Sequence, residues 1–302
     1  VLTHNFDDIL NDEEVSVVAE VMGGIEPAYT FTKKCLLAGK SVCTSNKALV
    51  EKHGAELLAI AKEKNVNYLF EASVGGGIPI IRPLHTCLTA DVIEEISGIL
   101  NGTTNYMLTK MSAEGADYAE VLKDAQNKGY AERNPEADVE GHDPARKIAI
   151  LTSLITGKKV DFEDIYCEGI TKVTTEDIAY AKKLGLSIKL LATSKKIGEQ
   201  YSIMVTPKMI GAAHPLFAVN DVFNAIFVKG NMLGDSMFYG SGAGKLPTAS
   251  AVAGDIVEAA KVTGNTGHFW TEEKLALADI STVENKFFVR TSASAEEAKA
   301  AF

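Results

Sequence analysis

Cysteine is scarce in this chain: four residues, at positions 35, 43, 87 and 167, none of them in a C-x-x-C pair. Thiols so scattered exclude a disulfide framework and a cysteine metal cluster, and they read as buried thiols of a reducing compartment. Basic charge is also in deficit. Thirty Lys and Arg stand against 40 Asp and Glu, and the net charge of −10 argues against a duplex nucleic acid partner. No apolar run approaches the roughly 20 residues that a membrane-spanning helix needs. The opening VLTHNFDDIL has neither a basic n-region nor an apolar core, so no signal peptide is legible and a cytoplasmic location is expected. The six histidines are dispersed without metal-ligand spacing, and internal repeats and low-complexity tracts are absent.

What is present is an ordinary globular composition, 46% apolar and 23% charged, in 302 residues. That is enough for one large or two ordinary domains. The first 75 residues alternate in period. VSVVAEVMGG reads as a buried strand ending in glycines, and EPAYTFTKKCLLAGK as a helix with Pro27 near its first turn and Gly39 at its end. SVCTSN is a second strand, KALVEKHGAELLAIAKEK a second helix and VNYLFEAS a third strand. This order predicts a parallel, doubly wound α/β sheet, half of a dinucleotide-binding unit. The other half, on the order of 60 residues with a G-x-G-x-x-G turn, is not in this sequence. The expectation is a partial Rossmann-like sheet in an N-terminally truncated chain. The alternative is a complete three-stranded sheet of another kind, whose open edge strand would need covering.

After Gly77 the pattern changes. DVIEEISGIL reads as a strand, NYMLTKM, DYAEVLKDAQNKG and ARKIAILTSLI as helices, and SIKLLATSKK, QYSIMVTP, DVFNAIFVKG and DSMFYGSG as strands of a mixed or antiparallel sheet. PTASAVAGDIVEAAK is a helix with Pro247 at its start. The expected organisation is a parallel α/β domain at 1–77, an α+β domain with a mixed sheet at 78–244, and a helix at 245–262. A peripheral segment, carrying the single tryptophan Trp270, follows at 263–302.

The stretch AERNPEADVEGHDPARK places acids beside a lysine at the mouth of an apolar helix. Asp143 before Pro144 is a common N-cap and first-position pairing. Lys147 lies one turn on and shares a stripe with Leu151 and Leu154, so it points along an apolar face. The positive end of the helix dipole disfavours its charge and Asp143 favours it. Glu132, Asp138 and Asp143 can converge on Lys147, so that acids hold a substrate ammonium while the lysine meets an oxygen. An ordinary cap, a snorkelling lysine and a loop of solvated acids have the same composition. Lys47 follows the strand SVCTSN at its C-terminal end, where ligands sit in open parallel sheets, and it can equally be an exposed lysine at a capped helix start. The glycines of EASVGGGIPI permit unusual dihedrals, or simply a tight turn. GSGAGKL fails as a phosphate loop, because Tyr239 and Leu246 stand where that motif requires Gly and Ser or Thr. It fails as a dinucleotide fingerprint as well, because Lys245 occupies the last glycine's place. What remains is a flexible turn opening a helix whose free N–H groups can receive an anion or a polar cofactor group.

The run AQNKGYAERNPEADVEGHDPARK closely resembles the signature of homoserine dehydrogenases. EVMGG, SNKALV, FEASVGGGIPII, GILNGTTNYML and GSGAGKLPTASAV agree with that family in order and spacing, covering residues 1 to about 262. The departures are at the ends: the family's N-terminal glycine-rich fingerprint is absent, and so is any complete C-terminal regulatory domain of the kind some members carry. The resemblance implies NAD(P)H-dependent reduction of L-aspartate 4-semialdehyde to L-homoserine, on the route to threonine, methionine and isoleucine. It implies Lys147 as the acid/base, with Lys47 sharing proton transfer and standing at the junction of substrate and cofactor. Gly129, Glu132 and Asp143 then contact the substrate, Asp138 supports them, and Gly244 touches the dinucleotide, NADP(H) or NAD(H). Glu71, Val74, Gly76 and Ile78 would offer oxygens, mostly main-chain, to a structural monovalent cation, typically sodium. A homodimer is implied as well. A non-catalytic truncated paralogue that dimerises without holding cofactor is the other reading, and the missing pyrophosphate turn is its support.

Overall fold

The computed structural model describes residues 2–262, 264, 265, 267 and 270–301. A short helix, α1 (Asp7–Leu10), precedes a run of strands and helices: β1 (Val17–Glu20), α2 (Ala28–Leu37), β2 (Ser41–Thr44), α3 (Lys47–Glu63) and β3 (Tyr68–Leu69). The strands form a three-stranded sheet in the order β1-β2-β3, parallel throughout. Local chemistry sets the boundaries. Gly39 takes a positive φ of 79° just past α2, and the Asn46 side chain accepts from the Leu49 N–H at the mouth of α3. Leu36, Leu49, Leu57 and Leu58 bury the apolar faces of α2 and α3 together with Val42 and Tyr68 of the sheet.

The third strand is shorter than its pattern predicts. After Leu69 the chain turns into a 3₁₀ segment, Glu71–Ser73. There the buried Glu71 carboxylate accepts from the main-chain N–H groups of Ile80, Ile81 and Arg82 at 2.6, 2.8 and 2.8 Å. A negative charge capping the next helical segment outweighs continuation of the strand.

The rest of the chain supplies β4 (Ile93–Ile99), α4 (Gly102–Glu114), α5 (Tyr118–Asn127), α6 (Glu136–Val139) and α7 (His142–Thr156). Then come β5 (Lys158–Lys159), β6 (Tyr166–Cys167), α8 (Thr175–Lys183), β7 (Leu186–Ile197), β8 (Gln200–Gly211), β9 (Phe223–Gly230) and β10 (Gly234–Ser241). Six of these strands form a mixed sheet in the order β10-β9-β4-β7-β8-β6, in which only β6 and β8 run parallel. One face, with Ile96, Ile188, Val205, Ile226 and Val228, packs beneath α4 and α7. The other carries a separate cluster of Ile99, Leu191, Ala225 and Phe227, roofed by Leu216 and Val219. Helix α8 escaped the sequence reading, although its capping box, Thr174 with Asp177, is a local signal in VTTED.

Helix α9 (Lys245–Lys261) packs on β1, β2 and the Glu71 turn. It is fixed there by Asp255, which accepts from the Glu71 N–H at 2.9 Å and pairs with Arg82 at 2.8 Å. The C-terminal segment, expected to be peripheral, is tied in at several points. Trp270 is 1% exposed and meets Phe70 edge-on with centroids 5.6 Å apart. A Cβ at Gly54 would lie 2.3 Å from its ring. β11 (Thr271–Lys274) pairs with β5, and Arg290 binds Asp177 at 3.0 Å ahead of a last helix, α10 (Ala295–Ala301). A single large ring filling a gap beside a glycine has no periodicity, so the pattern could not announce it.

Candidate active site

Asp143, Lys147 and Lys47 come together where the two sheets meet. Helix α7 begins at His142, with Gly141 in the N-cap position at φ 85°. Asp143 is therefore inside the first turn and is not the N-cap that its place before Pro144 suggested. Freed from capping, its carboxylate is nearly enclosed, at 5% exposure, and binds both lysines. Oδ2 takes the Lys147 ammonium at 2.7 Å, one turn along the helix, and Oδ1 takes the Lys47 ammonium at 2.7 Å from the first residue of α3. Lys147 also donates to the Leu100 carbonyl at 2.6 Å. An ammonium has three N–H donors, so one of Lys147's is left for another oxygen.

Burial pushes the Asp143 carboxyl up, but the Lys147 and Lys47 charges and their hydrogen bonds outweigh it and hold the group well below the usual carboxylate range. Asp143 is thus an anion at neutral pH. Two cations around one anion leave a surplus of positive charge, suited to an oxygen that gains negative character. Lys147 is the enclosed member, its side chain 11% exposed, whereas the Lys47 side chain is 43% exposed.

Asn101, which the sequence reading did not single out, organises the acids. Its Nδ2 donates to Asp138 Oδ1 at 2.7 Å and to Asp143 Oδ2 at 2.9 Å. Its Oδ1 accepts from the Thr104 N–H at 2.9 Å and so caps α4. The pattern N-G-T-T ahead of an apolar helix was the available signal. Asp138, on α6, is half-buried. Burial and the nearby Asp143 charge raise its carboxyl above the usual range, against the Asn101 hydrogen bond.

Among the described residues, no hydrogen bond or ion pair joins Gly129 or Glu132 to this cluster. Gly129 has φ 73° past the end of α5 and is exposed. Glu132 is exposed, and among the described residues its carboxylate has no hydrogen bond or ion pair. Its loop is nevertheless fixed: Gln126 donates to the Glu132 carbonyl at 3.1 Å, and Thr103 of α4 donates to the Tyr130 carbonyl at 2.6 Å. A carboxylate held at its base and free at its head can take an ammonium from solution.

Gly244 occupies the N-cap position of α9, with φ 115° and ψ 152°. Together with Lys245, Thr248 and Val252 it faces Val21 and Ser45 across an open cleft. Those two residues follow β1 and β2 directly, so the cleft lies at the carboxyl ends of the parallel strands, where this architecture binds nucleotides. The helix N-terminus opposite suits a phosphate or another polar cofactor group. The residues present fit a dinucleotide.

At the Glu71 turn, Gly75 and Gly76 have φ of 75° and 56°. A Cβ on Gly76 would lie 2.5 Å from the Gly242 carbonyl oxygen, and Gly77 donates to the Ser241 carbonyl at 3.1 Å. Glycine is required because two main chains touch. No hydrogen bond is directed at the main-chain oxygens of Val74, Gly76 or Ile78 among the described residues. Glu71 differs, since both of its carboxylate oxygens already accept main-chain N–H groups. Among the described residues no group of His, Cys, Asp and Glu could hold a metal ion.

The chain matches a family model described as Homoserine dehydrogenase over residues 79–257, and one described as Homoserine dehydrogenase, NAD binding domain over residues 1–71. It is 46% identical to the homoserine dehydrogenase of Bacillus subtilis over 271 residues, covering 88% of this chain and 63% of that protein. For the Corynebacterium glutamicum enzyme the identity is 48%, covering 86% and 60%. The chain thus spans less than two thirds of the length of either relative. Among solved structures, a homoserine dehydrogenase from Thiobacillus denitrificans superposes with a TM-score of 0.85 at 40% identity, covering 91% of this chain and 66% of that one. A hyperthermophilic archaeal homoserine dehydrogenase in complex with NADPH gives 0.76 at 30% identity, covering 87% and 77%.

Proposed function

The chain belongs to the homoserine dehydrogenase family, and from that premise we propose that it interconverts L-aspartate 4-semialdehyde and L-homoserine with NAD(P)H, in the biosynthesis of threonine, methionine and isoleucine. The observation that carries this reading is the Lys47–Asp143–Lys147 group at the meeting of the two sheets. The dinucleotide supplies the hydride when bound. Lys147 offers its remaining N–H to the aldehyde oxygen and gives it a proton as the alcohol forms. Lys47 adds a second positive charge, and Asp143 keeps both ammonium groups aimed at one point. Glu132 and Gly129 receive the substrate's amino end, with Asp138 steadying Asp143 through Asn101.

Gly244 and Lys47 line the cofactor side of the cleft, and the NADPH complex of the archaeal relative supports a dinucleotide there. Residues 1–77 with 245–262 then make the nucleotide lobe, and 78–244 the substrate and dimerisation lobe. The unclaimed carbonyls of Val74, Gly76 and Ile78 suit a hard monovalent cation such as sodium, with Glu71 contributing beside its three N–H bonds. Pairing into a homodimer is supported by Phe223, Met237 and Tyr239, exposed on the face of the mixed sheet turned away from the helices. The proposed setting is the cytoplasm; among the described residues no helix is long and apolar enough to cross a membrane.

The test is Lys147→Ala. Its kcat should collapse by at least about a hundredfold, as for loss of a positioned acid, while NADPH affinity by fluorescence titration stays intact. An unchanged kcat would remove Lys147 from the chemistry.

A further inference from the structure

We propose that Gln126, in the last turn of α5, is the positioning residue for the Glu132 carboxylate; this rests on the reading of Glu132 as the group that receives the substrate's amino end. Glu132 is on an exposed loop. A carboxylate on a loose peptide must be ordered each time it takes a ligand, and that ordering opposes binding. Affinity for the ammonium therefore depends on what holds the peptide at the base of the side chain.

The way this loop is tied changes at Glu132. Up to Ala131 the main chain folds back on α5. The N–H of Gly129 donates to the Gln126 carbonyl at 3.0 Å, and those of Tyr130 and Ala131 donate to the Ala125 carbonyl at 2.9 and 3.2 Å. From Glu132 onward this stops. Among the described residues the main-chain N–H groups of Glu132, Arg133 and Asn134 donate to nothing. The carbonyls of Glu132 and Arg133 accept from the Gln126 side-chain amide alone, whose Nε2 lies 3.1 and 3.5 Å from them. The next tie comes at Glu136, whose N–H donates to Asn134 Oδ1 at 3.4 Å.

A primary amide has two N–H donors on one nitrogen, a fork that suits two successive carbonyls. The helix that carries it is anchored, since Val121 and Ala125 of α5 are buried. The lysine of the same turn is engaged elsewhere: Lys128 donates to the Tyr106 hydroxyl at 2.6 Å and to Asp124 at 3.1 Å. It therefore does not neutralise Glu132, and a ligand's ammonium meets an open carboxylate. Gln126 acts on that encounter through the Glu132 peptide and touches no substrate atom itself. The amide fixes where the carboxylate starts from, and the ammonium then gains the full attraction without ordering the loop.

The test is a double-mutant cycle between Gln126→Met, which keeps the length and removes the donors, and Glu132→Gln. Calorimetry on the NADPH-saturated protein gives the Kd of L-homoserine without turnover, because no hydride acceptor is present. Gln126→Met should weaken homoserine by about three- to tenfold, the worth of one neutral hydrogen bond. In the Glu132→Gln background the same substitution should weaken it no further, because the two residues act as one unit. Binding of 4-hydroxybutanoate, the same alcohol without its amino group, should be unchanged by Gln126→Met. A residue that merely supports the fold would weaken both ligands equally and would add its loss to that of Glu132→Gln; either result would overturn the inference. A Glu132→Gln variant that binds homoserine as tightly as the unsubstituted protein would instead refute the placing of the ammonium at Glu132. An unsubstituted protein that binds no homoserine would refute the dehydrogenase reading.

Discussion

Replacing Asp143 with asparagine keeps the side chain's shape and removes the one charge that both lysines share. Lys147 would then hold an enclosed ammonium against two neutral oxygens, the Leu100 carbonyl and the new amide. Removing one partner of a buried ion pair costs about 3–5 kcal/mol. The lower end applies, because an acceptor remains for Lys147 and because the Lys47 side chain, 43% exposed, can turn to water. A loss of about 3 kcal/mol lowers the thermal midpoint of a chain of this order by about 6–12 °C.

The pH dependence is more diagnostic than the size. The Asp143 carboxyl is held below its ordinary value in the folded protein, by the Lys147 and Lys47 charges acting against burial. Its contribution is therefore complete above the unfolded value of about 3.9 and is lost as pH falls towards the folded one. The gap in stability between the unsubstituted protein and Asp143→Asn, followed by circular dichroism, should be constant from about pH 7 to 5 and close below about pH 4. A gap that persists at low pH, or equal midpoints at neutral pH, would refute the electrostatic account.

Trp270→Ala should destabilise by about 3–5 kcal/mol in urea unfolding, since it empties the space beside Gly54 and Phe70. A loss below about 1 kcal/mol, the usual surface range, would return that segment to the periphery. Lys189 is buried, donates to the Val219 carbonyl at 2.6 Å and to Asn220 Oδ1 at 2.8 Å, and is pushed down to about 8 by burial. The folded chain therefore binds fewer protons than the unfolded one between pH 8 and about 10.4, and stability should rise with pH across that window. Lys189→Met should abolish this rise while lowering stability at neutral pH, and a rise that survives would assign it to other groups. If the Val74–Ile78 turn holds the proposed cation, exchanging sodium for choline at constant ionic strength should lower the thermal midpoint, and an unchanged midpoint would refute that proposal.

The alternation of strands and helices over the first seventy residues was legible because period and caps are local: Asn46 begins an element and Gly39 ends one within a few residues of themselves. The third strand was overestimated for a reason outside its own window, the N–H groups of residues 80–82 that draw Glu71 into a cap. In the site, Glu132 was grouped with the lysines by composition; among the described residues its carboxylate has no partner, so no contact within the chain could announce its place.

The sequence by itself determined that Asp143 and Lys147 share one helix face beside an apolar stripe, since residues four apart on a helix are neighbours wherever the helix lies. Only the tertiary structure decided that the one Asp143 carboxylate joins Lys147 to Lys47, and that Asn101 ties Asp138 to Asp143. Those contacts join positions far apart in the chain, and their proximity depends on how a parallel sheet and a mixed sheet pack together, which no local periodicity records.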